Sequence, residues 1–125
     1  MPKNKPSASD AELAILRLLW EHESLTAREI REVLYPNGTS SDHGTVQKLL
    51  QRLETKGMVS RDSSAFVHVF RAKVSRSEMA GQQLETLAEK LTDGSLAPFI
   101  MHALGSRNLS PQDRKEIRRL LDGLK

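Results

Sequence analysis

Apolar residues recur along the first half of the chain at helical spacing, and each recurrence begins behind a polar start signal. Ser9-Asp-Ala-Glu12 precedes Leu13, Leu16, Leu19 and Trp20, with Ile15 beside them. A hydroxyl at the first position and a carboxylate three residues later satisfy each other's free N–H groups, so this spacing predicts a helix that ends near residues 21–24. Thr26-Ala-Arg-Glu29 repeats the signal ahead of Ile30, Val33 and Leu34. Tyr35-Pro-Asn-Gly38 stops that second helix, because proline disfavours helix for the residue before it and Asn-Gly turns readily. After a polar loop, Thr39-Ser-Ser41, a third helix is expected with Asp42 as its N-cap. Val46, Leu49, Leu50 and Leu53 then stand at i, i+3, i+4 and i+7, a one-sided apolar stripe. The opposite face carries His43, Thr45, Gln47, Lys48, Gln51, Arg52 and Lys56. Lys56-Gly57 suits a helix end, a cation for the dipole followed by a residue free to turn left-handed.

From Met58 the pattern changes. Met58–Arg61 reads as a short strand, Asp62-Ser-Ser-Ala65 as a turn without glycine, and Phe66–Ala72 as the return strand. Alternation would set Phe66, His68 and Phe70 on one side and Val67, Val69 and Arg71 on the other. Ser75-Arg-Ser-Glu78 opens a fourth helix, with Leu84, Leu87, Ala88 and Leu91 on one side. Ser95 is the expected cap of a fifth, carrying Phe99, Ile100, Met101 and Leu104. Ser110-Pro111 opens a sixth, with Ile117, Leu120, Leu121 and Leu124 on a single face. Residues 1–8, with two prolines, two lysines and no apolar pattern, read as a disordered arm.

Three short helices followed by a two-stranded hairpin is the order of a winged helix. The expected fold is therefore mainly α with a small β wing: a winged helix-turn-helix over residues 9–74 and a helical region over 75–125. In such a fold the third helix lies on the first two by its apolar face and offers its polar face to the DNA major groove. The last three helices each leave an apolar stripe to bury. A second copy of the chain is the simplest partner, which makes Leu84, Leu87, Leu91, Phe99, Ile100, Leu104, Ile117, Leu120 and Leu121 dimerisation candidates. The alternative is that these helices fold back on the N-terminal region.

At 125 residues, 38% apolar and 28% charged, the chain has the composition of a soluble globular domain. No apolar run approaches the roughly 18 residues of a membrane span, and the N-terminus has no secretion-type apolar stretch, so the expected location is the cytoplasm, away from membranes. Without cysteine there is no disulfide, thiolate metal site or cysteine nucleophile. The four histidines show no ligand spacing, and there is no nucleophile–base pair or glycine-rich phosphate loop. Neither enzyme activity nor a cofactor is expected. The net charge of +3 is unevenly spread. Residues 10–34 hold three basic side chains against six acids, whereas residues 42–74 hold six (Lys48, Arg52, Lys56, Arg61, Arg71 and Lys73) against three.

That second stretch holds the candidates for contact with double-stranded DNA. Thr45 and Gln47 suit base edges, since glutamine can bond adenine bidentately and a threonine methyl can pack on thymine. Gly44 beside His43 would let a phosphate approach the backbone at the helix start. Lys48, Arg52, Lys56, Arg61 and Arg71 suit phosphates; pairing of Arg52 with Glu54 or Asp62, and of Arg61 or Arg71 with Asp62, competes. Two other uses are compatible with the pattern: a winged helix that binds only protein, and a small-ligand pocket near Phe99 and Met101.

From about Ser9 to the C-terminus the chain resembles the penicillinase repressors of the BlaI/MecI type. The resemblance is carried by Ser9-Asp-Ala-Glu-Leu with Leu19-Trp20, by Leu25–Ile30 and Thr45–Gly57, and by Phe70-Arg-Ala with Val74–Glu78. Gly94-Ser-Leu96 and Leu109–Asp113 with Ile117 and Leu120-Leu121 complete it. It implies a homodimeric repressor acting on a palindromic operator of TACA/TGTA type, relieved through an upstream sensor or protease of unknown identity. The chain also departs from the family. The antibiotic-responsive members are cut at an Asn-Phe bond where this chain has His102-Ala103, and the copper-responsive members carry a cysteine motif absent here. The third helix begins Asp42-His-Gly44 in place of a Ser-Pro-Lys pattern, which bears on base preference.

Overall fold

A computed structural model describes residues 7–105 and 109–124; most of the expected arm, residues 1–6, lies outside the described residues. The elements run α1 (Asp10–Glu21), β1 (Leu25–Thr26), α2 (Ala27–Leu34), α3 (Ser40–Thr55), β2 (Val59–Asp62), β3 (Val69–Ala72), α4 (Arg76–Leu91), α5 (Ala97–Leu104) and α6 (Pro111–Asp122). The chain divides into two compact units, Met1–Gln83 and Leu84–Lys125, and the division falls inside α4.

The first unit is built on the anticipated helix starts. Ser9 and Glu12 exchange hydrogen bonds of 3.2 and 2.9 Å, Thr26 and Glu29 of 3.1 and 2.8 Å, and Ser75 and Glu78 of 3.0 and 2.8 Å. Each box supplies acceptors for N–H groups that have no partner within the helix. The apolar stripes meet in one core: Ile15, Leu16, Ile30, Val46, Leu50 and Leu53 are wholly enclosed, with Leu19, Leu49, Met58, Val59, Phe70 and Met79 around them. Each such side chain contributes about 1.5–3 kcal/mol by leaving water. Gly57, at φ +77°, ends α3 in the left-handed conformation, and the Met58 N–H returns to the Leu53 carbonyl at 2.9 Å. The Trp20 indole N–H donates to the Val74 carbonyl at 2.8 Å, which ties α1 to the segment after the hairpin.

Several details differ from the sequence reading. α3 begins at Ser40, two residues before the expected cap; Asp42 sits one turn inside and its carboxylate accepts the Thr39 N–H at 3.0 Å. The sheet has three strands in the order β1-β3-β2, all antiparallel. β1 was not expected: two residues suffice because Leu25 and Thr26 pair with Phe70 and Val69. The return strand is shorter than expected. β2 ends where Asp62 pairs with Val69, so residues 63–68 have no strand opposite and form the turn. The alternation foreseen for Phe66–Ala72 therefore fails at its start, with Phe66 fully exposed and Phe70 buried. The end of the expected arm is ordered: Ala8 is buried and its N–H donates to Gln83 Oε1 at 3.2 Å.

In the second unit α6 starts as expected, with Ser110 as cap and Pro111 in its first turn, whereas α5 starts after Leu96 rather than Ser95. None of the described residues of α5 or α6 is buried, and Leu91, Met101, Leu120, Leu121 and Leu124 are each more than half exposed. No helix among the described residues is long and apolar enough to cross a membrane.

Candidate nucleic-acid interface

The amphipathic stripe of α3 decides what the helix can offer. With Val46, Leu49, Leu50 and Leu53 inside, Thr45, Gln47, Lys48, Gln51 and Arg52 face solvent along a helix of 16 residues. That is about 24 Å of polar surface, more than the width of a major groove. The Thr45 hydroxyl donates to the Ser41 carbonyl at 3.1 Å, so Thr45 presents an acceptor oxygen and a methyl group. The Gln47 amide lies 3.2 Å from His43 Nε2 and donates to it, which holds both side chains at the start of the helix. Gly44 has nothing within 4 Å of where a Cβ would stand. Its lack of a side chain leaves the backbone open, and no packing inside the protein requires it.

α3 and the hairpin face each other across a groove of about 790 Å³. His43, Gly44, Gln47, Lys48 and Gln51 line it from α3, Thr26, Ala27 and Arg28 from the β1–α2 junction, and Arg61, Phe66, Val67 and His68 from the hairpin. Leu50 and Phe70 also line it, and no carboxylate does. A smaller cleft of about 400 Å³ adjoins it, lined by Arg28, Arg31, Gly38, Thr39, Ser40 and His43. A groove walled by cations and amide groups, without acids, suits a polyanion.

The site residues expected from the sequence are thus only partly brought together. His43, Gly44, Gln47, Lys48 and Arg61 line one groove. Thr45, Arg52 and Arg71 are exposed but do not line it. Lys56 is not on this face: its Nζ lies 2.6 Å from Glu12 Oε1 and 2.8 Å from the Ser7 carbonyl. The reason is Glu12, a carboxylate 1% exposed that needs a cation beside it. Burial pulls the Glu12 carboxyl upward, but Lys56 and the Ser9 N–H and hydroxyl outweigh it and hold the group below the usual glutamate range.

Arg61 is also engaged. Its guanidinium grips Glu54 through both oxygens, at 2.8 and 3.2 Å, donates to His68 Nδ1 at 3.3 Å and lies 4.9 Å from the Phe70 ring centre. Glu54, rather than Asp62, is therefore the acid that Arg61 finds, and Glu54 is not left for Arg52. The pair braces the hairpin against α3. Asp62 instead accepts from the Ser64 hydroxyl and N–H, at 2.7 and 2.9 Å, which hold its carboxyl below the usual range.

Arg28, Gln51, Phe66, Val67 and His68 line the groove without having been candidates. Gln51 carried the signal, being on the polar face of α3. Arg28 belongs to the start of α2, and only the packing of α2 on α3 brings it there.

A helix-turn-helix whose second helix keeps a free polar face, beside a β wing, defines a winged-helix DNA-binding protein. A sequence model of the penicillinase repressor family matches residues 8–123, and the chain belongs to that family of transcriptional repressors. It is 26% identical over 120 residues to the penicillinase repressor of Bacillus licheniformis, an alignment that covers 96% of this chain and 93% of that protein. Over 52 residues it is 44% identical to the organic hydroperoxide resistance transcriptional regulator of Bacillus subtilis (strain 168), 42% of this chain and 31% of that one. The solution structure of the DNA-binding domain of the repressor BlaI superposes with a TM-score of 0.51 at 29% identity, covering 62% of this chain and 93% of that domain.

Proposed function

We propose that this DNA-binding repressor acts as a homodimer, in the cytoplasm, on a palindromic duplex of TACA/TGTA type, each protomer setting α3 in one major groove. The observation that carries this reading is the acid-free groove between α3 and the wing, in a chain whose second unit leaves a broad apolar surface uncovered. Gln47 and Thr45 read base edges. Lys48, Arg52, Arg71 and Arg28 meet phosphates, and Gly44, which carries no side chain, lets one come close to α3 beside His43. Arg61 serves chiefly to hold the wing. Two-fold symmetry then places the half-sites about one turn of DNA, roughly 34 Å, or a multiple of it apart. The bond matching the family's cleavage position is His102-Ala103, inside α5, which does not support relief of repression by cutting an Asn-Phe bond.

Sedimentation and fluorescence anisotropy with a labelled TACA/TGTA palindrome test this reading. One dimer per duplex is expected, with a preference over a shuffled duplex and affinity falling steeply with salt as counterions are released. Lys48→Ala should weaken binding across sequences and lower the slope of log affinity against log salt by about 1. Equal affinity for the palindrome and the shuffled duplex would sink the proposal.

Gly44→Ala separates folding from recognition. Alanine in a helix interior is favoured by about 0.5–1 kcal/mol over glycine, and the added methyl meets nothing here, so the urea midpoint should rise. Affinity for the palindrome should fall, because the methyl stands where the phosphate approaches. Unchanged affinity would remove the close approach of a phosphate at Gly44.

A further inference from the structure

The wing tip carries a feature that phosphate and base-edge contacts leave unused. Phe66 is fully exposed and Val67 is more than half exposed, adjacent in the turn between β2 and β3. Single exposed apolar side chains are common on protein surfaces. Here, however, the two are consecutive, one is aromatic, and both line the groove that His43, Gln47 and Lys48 line from α3. Residues 62–68 contain no lysine or arginine, and their one formal charge is Asp62, an acid held by Ser64. The tip is therefore not built to clamp phosphate. It is also braced, because Arg61 at its base grips Glu54 of α3.

Resting on the DNA-binding reading above, we propose that Phe66, backed by Val67, is an apolar wedge. It enters the minor groove beside the major groove occupied by α3 and partly unstacks one base step in each half-site. Two observations favour DNA as the occupant over a second protein copy. The pair is continuous with the acid-free groove, and the exposed Arg71 stands on β3 at the base of the hairpin, where a backbone phosphate would flank an inserted ring. Apolar wedges in the minor groove kink DNA in this way, and pyrimidine–purine steps yield to them most readily. The wedge would make such a step outside the major-groove contacts part of the recognised sequence.

The test uses the full chain and a duplex recovered with it from random-sequence DNA. 2-Aminopurine is placed at successive positions flanking the half-site, and bending is read by energy transfer between the duplex ends. The wild-type chain is expected to brighten 2-aminopurine at one step per half-site and to bend the duplex. Phe66→Ala should abolish both signals and lose about tenfold in affinity, with Phe66→Leu keeping part of each. The thermal midpoint of the free protein should not move, since the ring touches no core. Phe66→Ala that still bends and brightens the duplex overturns the wedge. So does a change in sedimentation of the DNA-free protein, which would assign the tip to a protein interface. If the selection yields no duplex, the wedge and the DNA-binding reading fall together.

Discussion

Lys56→Met is expected to destabilise the folded protein by about 3 kcal/mol while leaving the salt dependence of DNA binding as it is. Glu12 is 1% exposed and Lys56 is its cationic partner at 2.6 Å. Removing one member of a buried pair leaves an uncompensated charge, at a cost of about 3–5 kcal/mol; the lower end applies because the Lys56 side chain keeps 27% exposure to water. Glu12→Gln should cost less, since the amide oxygen can still accept the Ser9 N–H that the carboxylate accepts at 2.9 Å. The effect carries a pH signature. The folded state holds Glu12 below its ordinary range, so the stabilisation is fully present above the unfolded-state value of about 4.3 and is lost as pH falls through the lower folded value. Urea midpoints taken from pH 7 down to pH 3 should show this loss in the wild-type protein and a smaller one in Glu12→Gln. A Lys56→Met protein of wild-type stability with a reduced salt slope would return Lys56 to the DNA face.

Leu91→Asp combined with Leu121→Asp should convert a dimer into a monomer and lower affinity for the palindrome by about a hundredfold or more. Both leucines are more than half exposed in the single chain, so the substitutions remove nothing from a core and the first unit should keep its fold. Exposed apolar surface of this extent on helices marks an interaction surface. Two linked half-site contacts gain about 10²–10⁴ over one through effective concentration, and the monomer forfeits that gain. Sedimentation reads the association state, and anisotropy against whole and half palindromes reads the rest. A double variant that remains dimeric, or a wild-type chain that sediments as a monomer, would refute the assignment. Wild-type affinity that is equal for whole and half palindromes would refute the linkage.

The order of elements and the inner face of each were legible in the sequence because they rest on short-range physics. A capping box needs residues three apart, and a helix stripe needs apolar side chains at i, i+3, i+4 and i+7. These decide locally, so α1, α2, α4 and α6 begin where the polar signals stand, and Val46, Leu49, Leu50 and Leu53 are the buried stripe of α3. The polar face of α3 follows as its complement, which is why His43, Gly44, Gln47 and Lys48 could be named beforehand as candidates.

What the sequence could not settle was pairing across distance. Lys56 and Glu12 are 44 residues apart, and only the packing of α1 on α3 shows that one buried carboxylate requires this cation. Arg61 had Asp62 beside it in the chain, and the packing of the hairpin on α3 chose Glu54 instead. β1 has too few residues to signal a strand and exists because β3 offers it an edge. The return strand begins at Val69 because β2 has ended opposite it, and that boundary leaves Phe66 in water. Local periodicity determined which residues face inward; tertiary geometry alone decided which charges meet, because a Coulomb or hydrogen-bond partner is selected by distance in space and not along the chain.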